Sequence, residues 1–378
     1  MNHERTAARL RTTLVDRLRE TGSVRTDAVA RAMEAVPRDV FTPGSTSLEE
    51  AYQDRVVVLS VDDRGLPDST VSQPAIVALM LEQLDARPGM RVLEIGTGSG
   101  YNTALLAESV GPTGLVVSVE VSDELAGAAA RRLAGLGVRA DVRAGDGWQG
   151  VADRAPFDRI EATVGIPDLS PDWVAQLAPD GRVVAPLWLR PGVELSVAWE
   201  RGPGASLVGV SVERCGFLQL RGPHAGPGRT HPITGDLAVT GERLGPRDPD
   251  LLRALLDRGG VDVGPAPAEF ARRLAGFVLD EPRSVLFVSR PDDGITWGLF
   301  DPDRPALAVL VGDRVLCYGD ERTADALYRA VDVAPDLDPA GLRLEAVPAG
   351  EEFATPAPGE GPGWTLRRSA HTYRLSAS

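Results

Sequence analysis

The stretch Val92-Leu-Glu-Ile-Gly-Thr-Gly-Ser-Gly-Tyr101 decides the fold. Arg91 to Ile95 reads as a buried strand, Gly96 to Gly100 as a turn and Tyr101 to Val110 as a helix. Leu115 to Glu120 follows as a second strand. Such a strand, helix and strand form a parallel unit with a right-handed crossover. Glycines at its first turn let the chain bend sharply and bring the backbone close to a ligand.

The spacing of Gly96, Gly98 and Gly100 is Gly-x-Gly-x-Gly, with Thr97 and Ser99 between, rather than the Gly-x-Gly-x-x-Gly of dinucleotide sites. Glu120 closes the next strand, where a carboxylate can bind ribose hydroxyls. Asp146 and Gly147 follow the strand after that, a suitable place to meet an adenine amino group. Glu94, directly ahead of the loop, matches a pyrophosphate poorly and an ammonium well. S-adenosyl-L-methionine carries that ammonium and no phosphate, so it is the expected cofactor and nicotinamide the alternative. The plain reading of Glu120 and Asp146 is that each only caps the turn or helix after it.

Outward from this unit the alternation continues. A helix is expected at Asp123 to Leu136, strands at Ala140 to Arg143 and Arg159 to Thr163, a helix at Asp172 to Leu177 and a strand at Arg182 to Pro186. This is a Rossmann-like, doubly wound α/β sheet. Glu194 to Glu200 and Leu207 to Glu213 read as an antiparallel edge hairpin. Upstream, Leu10, Leu14 and Leu18 mark one helix and Asp27 to Val36 a second; Phe41 to Thr70 is a loop-like cover, and Gln73 to Leu84 is a helix. The expected division is an N-terminal helical or lid segment at 1–60, a core at 61–222, a Gly- and Pro-rich linker at 223–235 and an accessory α+β domain at 236–378. Pro356 to Pro362 reads as an exposed loop.

Composition narrows the function. At roughly 150 residues per domain, 378 residues make two or three domains. Apolar runs such as Val183 to Leu189 fall far short of the ~20 residues of a bilayer span, so no membrane partner is expected. Forty basic against 54 acidic residues give a net charge of −14, which argues against a nucleic-acid partner. No residue is Lys, which removes Schiff-base chemistry and the P-loop lysine. Cys215 and Cys317 fit neither a disulfide framework nor a zinc spacing, so a reduced, cytoplasmic, metal-free protein is expected. Glu4, Asp16 and Glu20 interrupt the N-terminal arginines and no apolar run follows, unlike a targeting signal.

The stretches Ala35-Val-Pro-Arg-Asp-Val-Phe41, Ala51-Tyr-Gln-Asp54, Ser69-Thr-Val-Ser-Gln-Pro74, Val92 to Tyr101, Gly145-Asp-Gly147 and Phe157-Asp-Arg-Ile160 together resemble the protein-L-isoaspartate O-methyltransferases over Thr26 to Pro186. That resemblance implies a class I methyltransferase sheet. It also implies that Ser72 contacts the substrate carboxylate, with Thr70 and Gln73 as neighbours, and that Glu94, Gly96, Gly98, Gly100, Glu120 and Asp146 hold the cofactor. The plain reading of Ser72 is a helix N-cap. A carboxylate is ionised near neutral pH and needs no strong base, so none of His3, His224, His231 and His371 is expected to be catalytic.

Two departures stand out. Glu161 falls where the family carries small residues, which would place an anion where a substrate passes; its plain reading is a solvent-facing side chain. Arg214-Cys-Gly-Phe-Leu-Gln-Leu-Arg221 and the C-terminal extension resemble actinobacterial homologues that modify aspartate in ribosomally made peptides such as lasso peptides, lanthipeptides or graspetides. There methylation of an Asp leads to an aspartimide. The first expectation is such a tailoring enzyme acting on an Asp peptide; the alternatives are a general isoaspartate (isoAsp) repair methyltransferase and a non-catalytic adenosyl- or peptide-binding module. The acceptor sequence, the role of the extension and the oligomeric state are left open at this point.

Overall fold

The computed structural model describes residues 2–63, 65, 67–226, 230–289, 294–338, 341–353 and 363–377. Helices α1 (Asn2–Glu20) and α2 (Asp27–Ala35) bury Leu14, Val15, Leu18, Val29 and Met33, the apolar stripe that their periodicity calls for. A short helix α3 (Leu48–Ala51) begins with a Ser47/Glu50 capping box. The segment read as a loop-like cover also holds a hairpin, β1 (Val57–Val61) with β2 (Pro67–Val71), which pairs Val58 with Thr70. The β-branched Val56 to Val58 run supplies its first strand.

After α4 (Pro74–Leu84) come β3 (Arg91–Ile95), α5 (Tyr101–Val110), β4 (Leu115–Glu120), α6 (Asp123–Gly135), β5 (Asp141–Ala144), β6 (Phe157–Ala162), α7 (Pro171–Gln176) and β7 (Leu177–Arg190). Strands β5, β4, β3, β6 and β7 lie side by side in parallel. Then β8 (Val193–Arg201) and β9 (Leu207–Cys215) extend the sheet antiparallel. Helices α1, α2, α4 and α5 share one apolar core, while Trp173 of α7 belongs to the core on the opposite side.

A second, antiparallel sheet follows. Its strands are β10 (Thr230–Pro232), β11 (Leu237–Gly241), β12 (Val261–Pro265), β13 (Ser284–Ser289), β14 (Gly294–Asp301), β15 (Ala306–Val311) and β16 (Arg314–Tyr318), in the order β10-β11-β13-β14-β15-β16-β12. Helix α8 (Asp248–Leu256) packs Leu252 and Leu255 with Val285 and Phe287 on one face. On the other, Leu299, Ala308 and Leu310 join Phe277 of α9 (Phe270–Asp280) and Leu327 of α10 (Arg322–Val333) in a core that also contains Leu93 and Ile95.

The chain then returns. Strands β17 (Leu342–Pro348), β18 (Gly363–Arg367) and β19 (His371–Ala377) complete a ten-stranded main sheet, β17 pairing with β9 at Ala346 and Leu207. Strands β17, β18 and β19, whose residues were grouped with an accessory domain on sequence, therefore pair into the main sheet. The physical reason is the open edge that the β8–β9 hairpin leaves, whose backbone groups need partners. The Tyr373 hydroxyl fastens the return, donating to Asp168 at 2.6 Å and accepting from the Leu169 N–H at 2.7 Å. Of the expected linker, Thr230–Pro232 is a strand, His224 stacks on Trp148 at 4.3 Å and residues 227–229 lie outside the described residues. The loop expected at Pro356 to Pro362 also lies outside them. Among the described residues no helix is long and apolar enough to cross a membrane.

Candidate active site

A cavity of about 980 Å³ lies at the carboxyl ends of β3, β4 and β6. Gly96, Thr97, Gly98 and Ser99 form one side of it. Gly96 has φ +100°, and a Cβ there would come within 2.9 Å of the Thr163 hydroxyl; Gly98 has φ +52°. Both backbone conformations favour glycine, and together they leave a cradle of bare main chain. Gly100 serves differently: it begins α5 and packs against Ala129 and Leu133 rather than lining the cavity.

Glu120 reaches the cavity while accepting hydrogen bonds from Gly98 N at 2.9 Å and Ser122 N at 3.2 Å. Asp146 lines it too and accepts from Trp148 N at 3.0 Å. The capping reading of these two acids is thus true without displacing a ligand-facing one. At Gly147, also on the wall, a Cβ would strike Ile95 at 2.5 Å.

Two acids sit otherwise than the sequence suggests. Glu94 is wholly buried behind the loop and is not among the lining residues; the Asn102 amide, the Thr103 hydroxyl and the Ser118 hydroxyl all donate to it. Burial pushes its carboxyl up to about 7 against those bonds. Glu161 does not face solvent: it is 0% exposed, because β6 is covered on both faces. It lines the cavity, takes a 2.8 Å bond from the same Asn102 amide and leaves Oε1 without a partner among the described residues, with burial raising its pKa to about 8. Asn102 therefore bridges the hidden acid to the one at the wall.

Ser72 and Thr70 line the side facing the glycine loop, and the Thr70 carbonyl lies 3.8 Å from where a Cβ on Gly98 would stand. The cap of α4 is Gln73, not Ser72, and its side chain makes no capping bond. Asp54 does that work from a distance, accepting from Ala75 N at 2.8 Å and from the Gln73 amide at 3.0 Å. Arg38, 0% exposed, donates to the carbonyls of Ala51, Arg55 and Ser72, the last at 3.0 Å. Arg38 and Asp54 went unassigned on sequence, yet they explain why Ala35 to Phe41 and Ala51 to Asp54 accompany the Ser72 segment. Their signal was a charged residue within each short motif.

The remaining wall comes from β8, the 214–221 segment and the second sheet. Glu194, Arg214, Gln219 and Arg221 contribute from the first two, and Leu286, Val288, Ile295 and Trp297 from the third. Arg221 lies 3.6 Å from Asp68 and 3.7 Å from Glu120.

A parallel α/β sheet with a glycine cradle after its first strand and carboxylates after the next two is the class I methyltransferase arrangement. A family model described as protein-L-isoaspartate(D-aspartate) O-methyltransferase matches residues 9–221. The protein-L-isoaspartate O-methyltransferase of Methanopyrus kandleri is 43% identical over 184 residues, 47% of this chain and 77% of the relative. That of Thermotoga maritima is 42% identical over 165 residues, 43% of this chain and 51% of the relative. A solved structure named protein-L-isoaspartate O-methyltransferase superposes with a TM-score of 0.54 at 27% identity, covering 89% of this chain and 96% of its own. The chain belongs to the protein-L-isoaspartate(D-aspartate) O-methyltransferase family and is an S-adenosylmethionine-dependent protein carboxyl O-methyltransferase.

Proposed function

We propose that the protein esterifies the free carboxylate of isoaspartyl residues in peptides and proteins, the repair reading. The observation that carries it is the shared cavity, in which Ser72 and Thr70 stand across from the Gly96 to Ser99 cradle. The cofactor, when bound, supplies an electrophilic methyl group on a sulfonium sulfur. In this reading Gly96, Thr97, Gly98 and Ser99 cradle it, with Gly100 setting the helix behind them. Glu120 takes the ribose hydroxyls, Asp146 and Gly147 the adenine, and Glu94 acts through Asn102.

Ser72 donates its hydroxyl to the acceptor carboxylate and so fixes which oxygen points at the methyl group. Arg38 holds the Ser72 main chain and is a positioning residue. The acceptor is ionised at neutral pH, and the described lining residues include no His. Alignment and exclusion of water then supply the acceleration, rather than proton abstraction.

The finer reading, a dedicated enzyme that converts one Asp of a ribosomal peptide to aspartimide, has a specific observation in its favour: the second sheet walls the acceptor side of the cavity. The repair reading is favoured by the relatives' names and by the solved structure that covers most of this chain under the same name. Transfer of labelled methyl to several unrelated isoaspartyl peptides separates them. Comparable turnover of all supports repair, whereas transfer to a single cyclised Asp peptide and to none of these overturns it.

A further inference from the structure

The face of the second sheet that looks into the cavity is divided in two. Strand pairing sets Ser284, Leu286 and Val288 of β13 opposite Leu299, Trp297 and Ile295 of β14. At one end, Leu299 with Ala308 and Leu310 is closed over by α9 and α10. At the other, Leu286, Val288, Ile295 and Trp297 line the cavity, and Ile295 is 55% exposed although apolar. The alternate residues Val285 and Phe287 are buried against α8, so period-2 geometry turns these four side chains to the opposite face, where Trp297 packs in part against the main core and Leu286, Val288 and Ile295 join none of the apolar clusters. Gly192, φ +75°, makes room for the indole: a Cβ there would come within 2.8 Å of Trp297 Nε1.

Charge adds a second observation. Five acidic side chains line the cavity, Asp68, Glu120, Asp146, Glu161 and Glu194, against two arginines. Arg221 is engaged by Asp68 and Glu120. Arg214 is exposed and makes no ion pair among the described residues. Burial raises both Glu161 and Glu194 to about 8, which keeps them largely uncharged at pH 7 and lets Arg214 act on an entering anion. On the same side Trp297 Nε1, over Gly192, and Glu194 Oε1, over Gly165, are buried and find no partner within the described protein.

We propose that Leu286, Val288, Ile295 and Trp297, with Arg214 on the wall of the same cavity, form an acceptor-peptide subsite: an apolar side chain next to the reacting residue seats on the sheet, and the guanidinium pairs with a peptide carboxylate. The inference rests on the reading of the protein as a peptide carboxyl methyltransferase and adds the class of peptide, anionic with an apolar neighbour. Continuity of this face with the Ser72 side of one cavity commits it to the acceptor rather than to a separate partner. Esterification removes a negative charge, so a pairing made with the reacting carboxylate is lost in the product, which favours release.

The test is binding of fluorescent isoaspartyl and Asp peptides to the full chain saturated with S-adenosylhomocysteine, read by anisotropy. The peptides carry Leu or Ser beside the acceptor, and calorimetry of S-adenosylhomocysteine is the control. The expected results are about tenfold tighter binding of the Leu peptides, loss of that preference in Val288→Ser/Ile295→Ser, and about tenfold weaker binding of all peptides in Arg214→Gln, with cofactor affinity unchanged. A preference that survives the double substitution, peptide affinity indifferent to Arg214→Gln, or no peptide binding overturns the subsite. So does self-association of the wild type that Ile295→Ser abolishes, which assigns the patch to a second copy. If wild-type protein binds the peptides as expected but methylates no isoaspartyl peptide, the repair reading fails and the subsite stands.

Discussion

The two long walls of the cavity are built on opposite principles. The cofactor wall is backbone: Gly96 and Gly98 expose main chain, and Glu120 and Asp146 are each anchored to N–H groups. The second-sheet wall is side chain: Leu286, Val288, Ile295 and Trp297 present apolar surface with few polar fixtures. A backbone cradle tolerates almost no change in the residue that makes it, whereas an apolar wall is graded in area and can be retuned one methyl group at a time. The difference teaches where such an enzyme is constrained and where its acceptor preference can drift.

The strongest way to break this contrast is at Gly96. Gly96→Val places a branched side chain at φ +100° against Thr163, so calorimetric affinity for S-adenosylhomocysteine is expected to fall by at least about a hundredfold. Ser72→Ala comes next, with kcat lower by roughly ten- to a hundredfold and cofactor affinity unchanged; full turnover in this variant would remove Ser72 from the chemistry. Smaller is Ile295→Ser on the opposite wall, where KM for an apolar-flanked peptide should rise several-fold while kcat holds.

A pH experiment sharpens the comparison from the side of stability. Glu161 lies at about 8 in the folded chain against an ordinary 4.5, so the folded state holds a proton that the unfolded state gives up. That contribution to stability is fully present below pH 4.5 and is lost as pH rises to about 8. The melting temperature is therefore expected to drop by roughly 5 °C between pH 6 and 8.5, with part of the drop absent in Glu161→Gln. An identical profile in the variant would mean that Glu161 is not the titrating group. The least effect is expected of Asp54→Asn, which keeps a hydrogen-bond acceptor at the start of α4 but loses its charge, costing about 1 kcal/mol in a denaturant melt.

What the sequence disclosed follows the same division. The cradle was legible because left-handed backbone demands glycine, and Glu120 and Asp146 because strand ends in a parallel sheet converge on one crevice. Glu161 was misjudged because an acid in a strand that also carries Asp158 and Arg159 reads as surface; the signal was its place in a strand flanked by buried strands on both sides. The second-sheet wall was illegible for another reason: Val285-Leu-Phe-Val288 is apolar without a break, so nothing local tells which alternate residues face the cavity. The union of β17 with β9 depends on partners far apart in the chain, for which local propensity carries no information.

That late return of the chain bears on how the molecule is made. Until β17 and β19 emerge from a ribosome, β9 keeps a bare edge at Leu207 and Val208 and Asp168 lacks the Tyr373 hydroxyl that closes over it. The first part of the protein therefore spends the later stretch of synthesis, from β9 to β17, as a nearly finished sheet with an adhesive rim, open to pairing with a neighbouring nascent chain. Assembly is a clasp fastened last, so the second sheet cannot be exchanged like a cassette unless the clasp travels with it.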